Sequence, residues 1–378
     1  MSLWFFVSPG VPMSENTYIP DLLSQMEKIN ASDLHLKVGS PPIFRVKGTP
    51  QRIKADALSP ETMDAAIHGI LGPREQNMLT AKNSVDFAYS MAGVGRFRVN
   101  IFRQRGTYSL VARRVGARPP TFDELMLPPT IAKVAEFVDG LVLVAGVTGS
   151  GKSSTLAAII ELINQNERCH ILTLEDPIEF LYRDAKSFTN QRELGVDVND
   201  FPSALKDAMR EDPDVILVGE MRDTHTVEAA LAAAETGHLV FSTLHASNTV
   251  QTIVRVLEFF PADRQPSIRA LMSYVYRAAI AQRILPSARP ERARVPVVEA
   301  LFVNTVVRKY IADNEDFKIS RELRSNVKDG MQDFNMALYR LVKDGWLTEE
   351  MALANSNQPE QLSMQLRGMV LNQDATTV

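Results

Sequence analysis

The chain has 378 residues, 45% hydrophobic and 23% charged, with a formal net charge of −4. That is an ordinary globular composition with room for about two or three domains, and its charge excludes a general polyanion binder. The single cysteine, Cys169, excludes an internal disulfide framework and a four-cysteine zinc site and is simplest in a reducing compartment, and no run approaches the ~18–20 apolar residues of a membrane span.

In chain order, the apolar start Leu3-Trp4-Phe5-Phe6-Val7 is too short for a span and lacks the basic start of a secretion signal. Residues 1–13 read as an extension expected to be disordered, with Met13 as a candidate start. Residues 14–116 read as a small α+β domain. Ile19, Leu22, Leu23, Met26 and Ile29 recur at helical spacing. Strands are expected over 31–38 and 43–46, a helix over 60–80, and strands over 85–90, 96–102 and 108–115. From Phe87 to Phe122 there is no Asp or Glu, yet Arg96, Arg98 and Arg113 stand among its arginines. Such a strip fits a solvated basic face, nucleic acid, or nucleotide phosphate bound at an edge between domains or subunits. The third reading agrees best with a phosphate loop downstream, because aromatics for base stacking are few.

A Pro/Gly-rich linker is placed at 117–128, and a second domain starts at 129. Strands at 141–145, 170–174, 214–218 and 238–244 alternate with helices at 152–165, 203–210 and 225–235. Nearly all-apolar strands alternating with helices imply a parallel sheet covered on both faces. From 263 to 378 the pattern reads as helical, with helices at 264–284, 303–313, 330–344 and 348–354 and a loop at 286–296.

The chemistry centres on Gly146-Val147-Thr148-Gly149-Ser150-Gly151-Lys152-Ser153, which fits G-x-x-x-x-G-K-[ST] between a strand and a helix. Glycines let the backbone curl so that N–H groups face an anion, and the helix start adds its dipole. Thr148, Gly149, Ser150, Gly151, Lys152, Ser153 and Ser154 are therefore the candidate ATP contacts. Lys152 serves the outer phosphates, and Ser153 offers a hydroxyl to Mg²⁺. The strand Val215-Ile216-Leu217-Val218 runs into Gly219-Glu220, which puts a carboxylate at the sheet edge where ligands bind, able to orient or deprotonate an attacking water. Glu175, Asp176 and Glu179 crowd the end of the preceding strand, which favours a nearby cation, most simply Mg²⁺. His238 and His245 bracket the fourth strand. Zinc would need a third histidine or a matching cysteine close by, so an imidazole sensing the terminal phosphate fits better.

Phosphate loop, acidic box at 175–180, Gly-Glu at 219–220 and histidine box at 237–245 together resemble the secretion and pilus ATPase superfamily. Within it the chain is most similar to the type IV pilus retraction ATPases of twitching motility. Further matches are Ala31-Ser32-Asp33-Leu34-His35-Leu36, Gly95-Arg96-Phe97-Arg98-Val99-Asn100 and Arg210-Glu211-Asp212-Pro213-Asp214. The resemblance covers roughly residues 18–355. It implies a PAS-like N-terminal domain, a RecA-like parallel-sheet P-loop ATPase domain with a helical C-terminal tail, and a homohexamer. By the same resemblance Glu220 is the catalytic glutamate, Glu179 supports metal and water, and Ser153, Glu179 and Glu220 form the metal set. His238 and His245 couple nucleotide state to movement, and Arg96, Arg98 and Arg113 reach the nucleotide, some across a subunit boundary. The implied partner is the inner-membrane platform protein of the pilus, with a paralogous pilus ATPase as a second, on the cytoplasmic face of the membrane.

Where retraction ATPases carry Ala-Ile-Arg-Asn-Leu-Ile-Arg-Glu, this chain has Val306-Val307-Arg308-Lys309-Tyr310-Ile311-Ala312-Asp313. Principal and accessory retraction ATPase both stay open. The tetracysteine element of the assembly ATPases cannot be built. Two rivals come from other classes: a P-loop kinase, which would phosphorylate a small acceptor and form no ring, and a RecA-like nucleic-acid motor, whose turnover DNA would stimulate.

Overall fold

The computed structural model describes residues 17–46, 48–116 and 118–368, so the extension and Met13 lie outside the described residues. The chain divides into a first unit ending at Arg118 and including Glu179–Leu181, and a second unit formed by Pro119–Ile178 and the chain from Tyr182 onward.

The first unit opens with α1 (Tyr18–Lys28), which buries Ile19, Leu22, Leu23 and Met26 along one stripe. It continues through β1 (Ala31–Lys37), β2 (Ile43–Val46) and β3 (Thr49–Arg52). The third strand is unexpected: Thr-Pro-Gln-Arg is exposed throughout and carries no alternation, and it pairs as an edge strand, where a proline is tolerated. The helix expected over 60–80 is two, α2 (Pro60–His68) and α3 (Pro73–Lys82). Gly69 caps the end of α2, and Gly72 with Pro73 opens α3. Then come β4 (Ser84–Met91), β5 (Gly95–Gln104) and β6 (Thr107–Arg114). The six strands form one antiparallel sheet in the order β3-β2-β1-β6-β5-β4. Phe97, Val99 and Ile101 of β5 point into a core closed by α1 and α2, which leaves Arg96 and Arg98 on the other face.

The second unit begins with α4 (Phe122–Leu125), held by a Thr121/Glu124 capping box, and a 3₁₀ stretch at Pro129–Glu136. Strands and helices then alternate: β7 (Gly140–Ala145), α5 (Lys152–Asn166), β8 (His170–Glu175), β9 (Phe188–Glu193), α6 (Phe201–Ala208), β10 (Val215–Val218), α7 (Thr224–Glu235), β11 (Leu239–Leu244) and α8 (Thr249–Glu258). Next follow α9 (Gln265–Val275), β12 (Tyr276–Pro286) and β13 (Arg294–Phe302). The sheet order is β13-β12-β7-β11-β10-β8-β9, parallel except for β13 at one edge. Both faces are covered: Leu141 and Leu143 feed one core, Val142 and Val144 the other. Each such side chain contributes about 1.5–3 kcal/mol on burial.

Two expectations are corrected here. The helix expected over 264–284 turns into β12 after Val275, and part of the expected loop belongs to β13. Residues 276–285 are rich in alanine and leucine-type side chains that favour helix in isolation. Without β12, however, β7 would leave a row of buried backbone N–H and C=O groups unpaired, and that tertiary demand wins. The tail is helical only beyond β13, in α10 (Thr305–Ala312), α11 (Ile319–Ser325), α12 (Phe334–Lys343), α13 (Glu349–Ala354) and α14 (Pro359–Leu366).

Candidate active site

Strand β7 delivers the chain to the carboxyl edge of the parallel sheet, where the glycine loop begins. Two of its glycines are required by close approach as well as by backbone angle. Gly146 has φ +154°, and a side chain there would begin 2.5 Å from the carbonyl oxygen of Gln282. Gly151 has φ +87°, and its side chain would begin 2.9 Å from Gln282 Nε2. Between them Val147, Thr148 and Gly149 are exposed while Ser150 is buried, and Ser150 Oγ has no hydrogen-bond partner. Lys152 Nζ donates to the carbonyls of Gly146 at 3.0 Å and Val147 at 3.2 Å, which pins the ammonium at the mouth of the loop. α5 starts at Lys152 without a side-chain cap. The first N–H groups of a helix lack intrahelical acceptors, and a helix start at the end of a glycine loop suits an anion.

Glu220 follows the end of β10. β11 holds that end in place: Ser242 Oγ donates to Val218 O at 2.8 Å, and Thr243 Oγ1 to Gly219 O at 2.7 Å. The Glu220 carboxylate is mostly enclosed and doubly engaged. Oε2 accepts from Arg222 Nε at 2.8 Å and Nη2 at 2.7 Å. Oε1 lies 2.9 Å from His245 Nε2; a carboxylate only accepts, so the His245 proton sits on Nε2. Arg222 also reaches Asp176, 3.6 Å away. Its hydrogen bond to Glu220 pushes the guanidinium pKa up still further. In the sheet, β11 lies between β7 and β10. The glycine loop and Glu220 are thus about 10 Å apart across two strand spacings, with His245 arriving between them.

Glu175 and Asp176, adjacent in the sequence, have different partners in the structure. Glu175 is buried and accepts from Thr173 Oγ1 at 2.7 Å and Gln191 Nε2 at 3.2 Å. Asp176 pairs with Arg222. Glu179 belongs to the first unit, where its carbonyl accepts from Gly116 N at 3.0 Å. Among the described residues no group of three or more His, Cys, Asp and Glu side chains is arranged to hold a metal, so the expected one-cation carboxylate cluster is not formed. The oxygen donors left near the loop edge, the Ser153 hydroxyl and the Glu220 carboxylate, suit a hard cation such as Mg²⁺ in kind.

His238 is not brought to this edge. It precedes β11, at the amino edge of the sheet, about 20 Å from His245 at ~3.3 Å per residue. Its Nδ1 lies 3.1 Å from Ala233 O and 3.2 Å from Thr236 Oγ1, the C-terminal turn of α7.

In the first unit the arginine strip is answered from outside the acid-free stretch. Arg98 makes a bidentate pair with Asp86, at 2.5 Å for Nη2–Oδ2 and 3.2 Å for Nε–Oδ1. Arg113 donates to buried Asp33 at 2.8 Å, and Arg114 pairs with Glu27 at 2.7 Å. Arg96 Nη1 donates to Ser90 Oγ at 3.5 Å. Burial pushes the Asp33 carboxyl up, but hydrogen bonds from Arg113 and Ser32 outweigh it and leave the pKa lowered.

Two functional candidates escaped the sequence reading. Arg222 stands two residues after Glu220, and its charge was the available signal. Gln282 lay in a stretch read as helix, and nothing in the sequence marked it.

The fold and this edge define a class: an α/β domain with a glycine loop at the carboxyl edge of a parallel sheet and a carboxylate on a nearby strand of the same edge. The profile described as "Type II/IV secretion system protein" matches residues 127–321, and the chain belongs to that family. Its relatives include the type IV pilus retraction ATPase PilT of Pseudomonas aeruginosa, 39% identical over 342 residues, covering 90% of this chain and 99% of that protein. The type IV pilus ATPase PilU of the same organism is 37% identical over 347 residues, 92% of this chain and 90% of that protein. The crystal structure of the pilus retraction motor PilT with bound ADP superposes with a TM-score of 0.85 at 39% identity, covering 91% of this chain and 98% of that one.

Proposed function

We propose that this protein is an ATP-hydrolysing motor that powers retraction of type IV pili. The observation that carries the reading is the shared sheet edge, with a glycine loop on one strand and Glu220, held by Arg222 and His245, two strands away. The loop N–H groups, Lys152 and the start of α5 grip the phosphates of ATP, with Thr148 to Ser154 as contacts. Glu220 orients an in-line water and takes its proton once one carboxylate oxygen exchanges its present partner. Ser153 and Glu220 are the residues of this unit that would hold Mg²⁺, whose charge would offset that of the phosphates, and Glu179 stays a proposed metal-supporting residue on the family resemblance alone. His245 links the state of Glu220 to β11.

The working form is proposed to be a homohexamer. In it Arg98 and Arg113 exchange their carboxylate partners, and Arg96 its Ser90 contact, for phosphate, some across a subunit boundary. Such charge delivery is worth about 10³–10⁵ in rate in other phosphate-loop enzymes. His238, at the amino edge of the sheet, is proposed to couple nucleotide state to movement. The pilus inner-membrane platform protein and a paralogous pilus ATPase are the proposed partners, at the cytoplasmic face of the membrane. Among the described residues no helix is long and apolar enough to cross a membrane.

Deleting the gene and scoring surface pili and twitching tests the reading: excess pili with lost motility is expected, and unchanged piliation refutes it. A second reading, the accessory retraction ATPase, is favoured by near-equal identity to PilT and PilU, 39% and 37%. It predicts that twitching survives the deletion and that retraction weakens only under load.

A further inference from the structure

Gln282 is a buried polar side chain, 4% exposed, on the strand that sequence reasoning took for a helix. Its neighbour Ala281 pairs with Ala145, the last residue of β7, so Gln282 comes directly under the point where the glycine loop departs. One hydrogen bond and two close approaches meet at it. Its Oε1 accepts from Thr155 Oγ1 at 2.6 Å, in the first turn of α5. Its carbonyl faces Gly146, and its Nε2 faces Gly151, at the two ends of the loop. The amide thus sits between the helix start, through Thr155, and the Gly151 end of the loop, which its N–H₂ group lies beside.

We propose that Gln282 is a positioning residue for the phosphate loop: its amide holds the Gly151 end of the loop and the α5 start together as one anion-ready cradle. The proposal rests on the nucleotide reading given above and adds to it a group on β12. Loss of the amide leaves Thr155 Oγ1 without its buried acceptor and lets the loop relax away from the geometry that phosphate requires. Replacement by a carboxylate of the same shape keeps the acceptor for Thr155 but removes the N–H₂ donor and sets a negative charge under an anion.

The test is ADP binding by the full-length protein, by calorimetric titration, for wild type, Lys152→Ala, Gln282→Glu and Gln282→Met. Turnover and thermal melting are recorded alongside. Gln282→Glu is expected to weaken ADP binding by about tenfold or more, and Gln282→Met by about three- to tenfold. For Gln282→Met, KM for ATP is expected to rise by more than kcat falls, the mark of lost ground-state binding. A role confined to packing would lower the melting temperature and leave the affinity of the folded fraction untouched. Binding within twofold of wild type for a folded Gln282→Glu overturns the proposal. If that variant does not fold, the volume-matched Gln282→Met decides on the same criterion. Should wild type and Lys152→Ala bind ADP alike, the nucleotide reading itself fails and this proposal with it. Should wild type bind, Lys152→Ala lose binding and both Gln282 variants bind normally, only the role of Gln282 is refuted.

Discussion

The two edges of the parallel sheet are built from the same strands and do opposite things with their polar side chains. At the carboxyl edge Glu220, Arg222, His245 and Asp176 bond to one another, side chain to side chain, with Arg222 largely exposed. At the amino edge polar side chains are spent largely on main chain. His238 Nδ1 lies against Ala233 O, and His170 Nδ1 against Asp212 O at 3.1 Å. Side chains bonded to each other can trade partners when a ligand arrives. Side chains that satisfy buried backbone cannot do so without unfolding a turn. Strand His238-to-His245 shows both behaviours within one element, so a sequence motif with two histidines is two sites in space.

The largest expected effect tests the carboxyl edge. Glu220→Gln should reduce kcat by about 10²–10⁴ while ATP still binds; turnover within threefold of wild type would remove Glu220 from the chemistry. Next comes Arg222→Ala, which frees Glu220 Oε2 and leaves Asp176 without its cation. A fall in kcat of about tenfold, with KM for ATP little changed, is expected from steady-state assays, and Arg222→Lys should recover only part because it cannot make the two-nitrogen contact.

A sharper cut comes from the histidine pair. In dilute protein, His238→Ala should leave ADP affinity within twofold of wild type. His245→Ala should lower kcat about tenfold or more through misplacement of Glu220. Equal losses in both would break the distinction between edges.

The smallest effect concerns a carboxylate used for structure alone. Glu299 accepts from Thr249 N at 2.7 Å and Thr249 Oγ1 at 2.8 Å, and burial raises its pKa despite these bonds. A raised native pKa gives stability that is complete below the unfolded value, about 4.3, and is lost as pH rises through the native value. Glu299→Gln removes that slope. Its melting temperature relative to wild type should therefore be higher at pH 8 than at pH 5 by a degree or so; the opposite ordering would contradict the assignment. Asp33, lowered by Arg113 and Ser32, should show the reverse sign: its contribution is lost as pH falls through the native value.

Much of this site was legible in the chain. The glycine loop and the apolar strands around it are local patterns, and Glu220 follows its strand directly, so periodicity and motif spacing were enough to place them. Arg98 and Arg113 were legible as part of a charge run but not as paired charges, because Asp33 and Asp86 sit on neighbouring strands outside the acid-free stretch. The carboxylates 175 and 176 are adjacent in number, yet they turn toward different partners as the chain leaves β8.

By itself the sequence determined the anion cradle, the alternation of strands and helices, and the acid at the end of β10, since each depends on residues within about a dozen positions. Only the tertiary structure decided that 276–286 is a strand and that Gln282 underlies the loop. Those outcomes depend on which backbone edge needs a partner and which strand lies beside it, and such demands come from residues more than a hundred positions away.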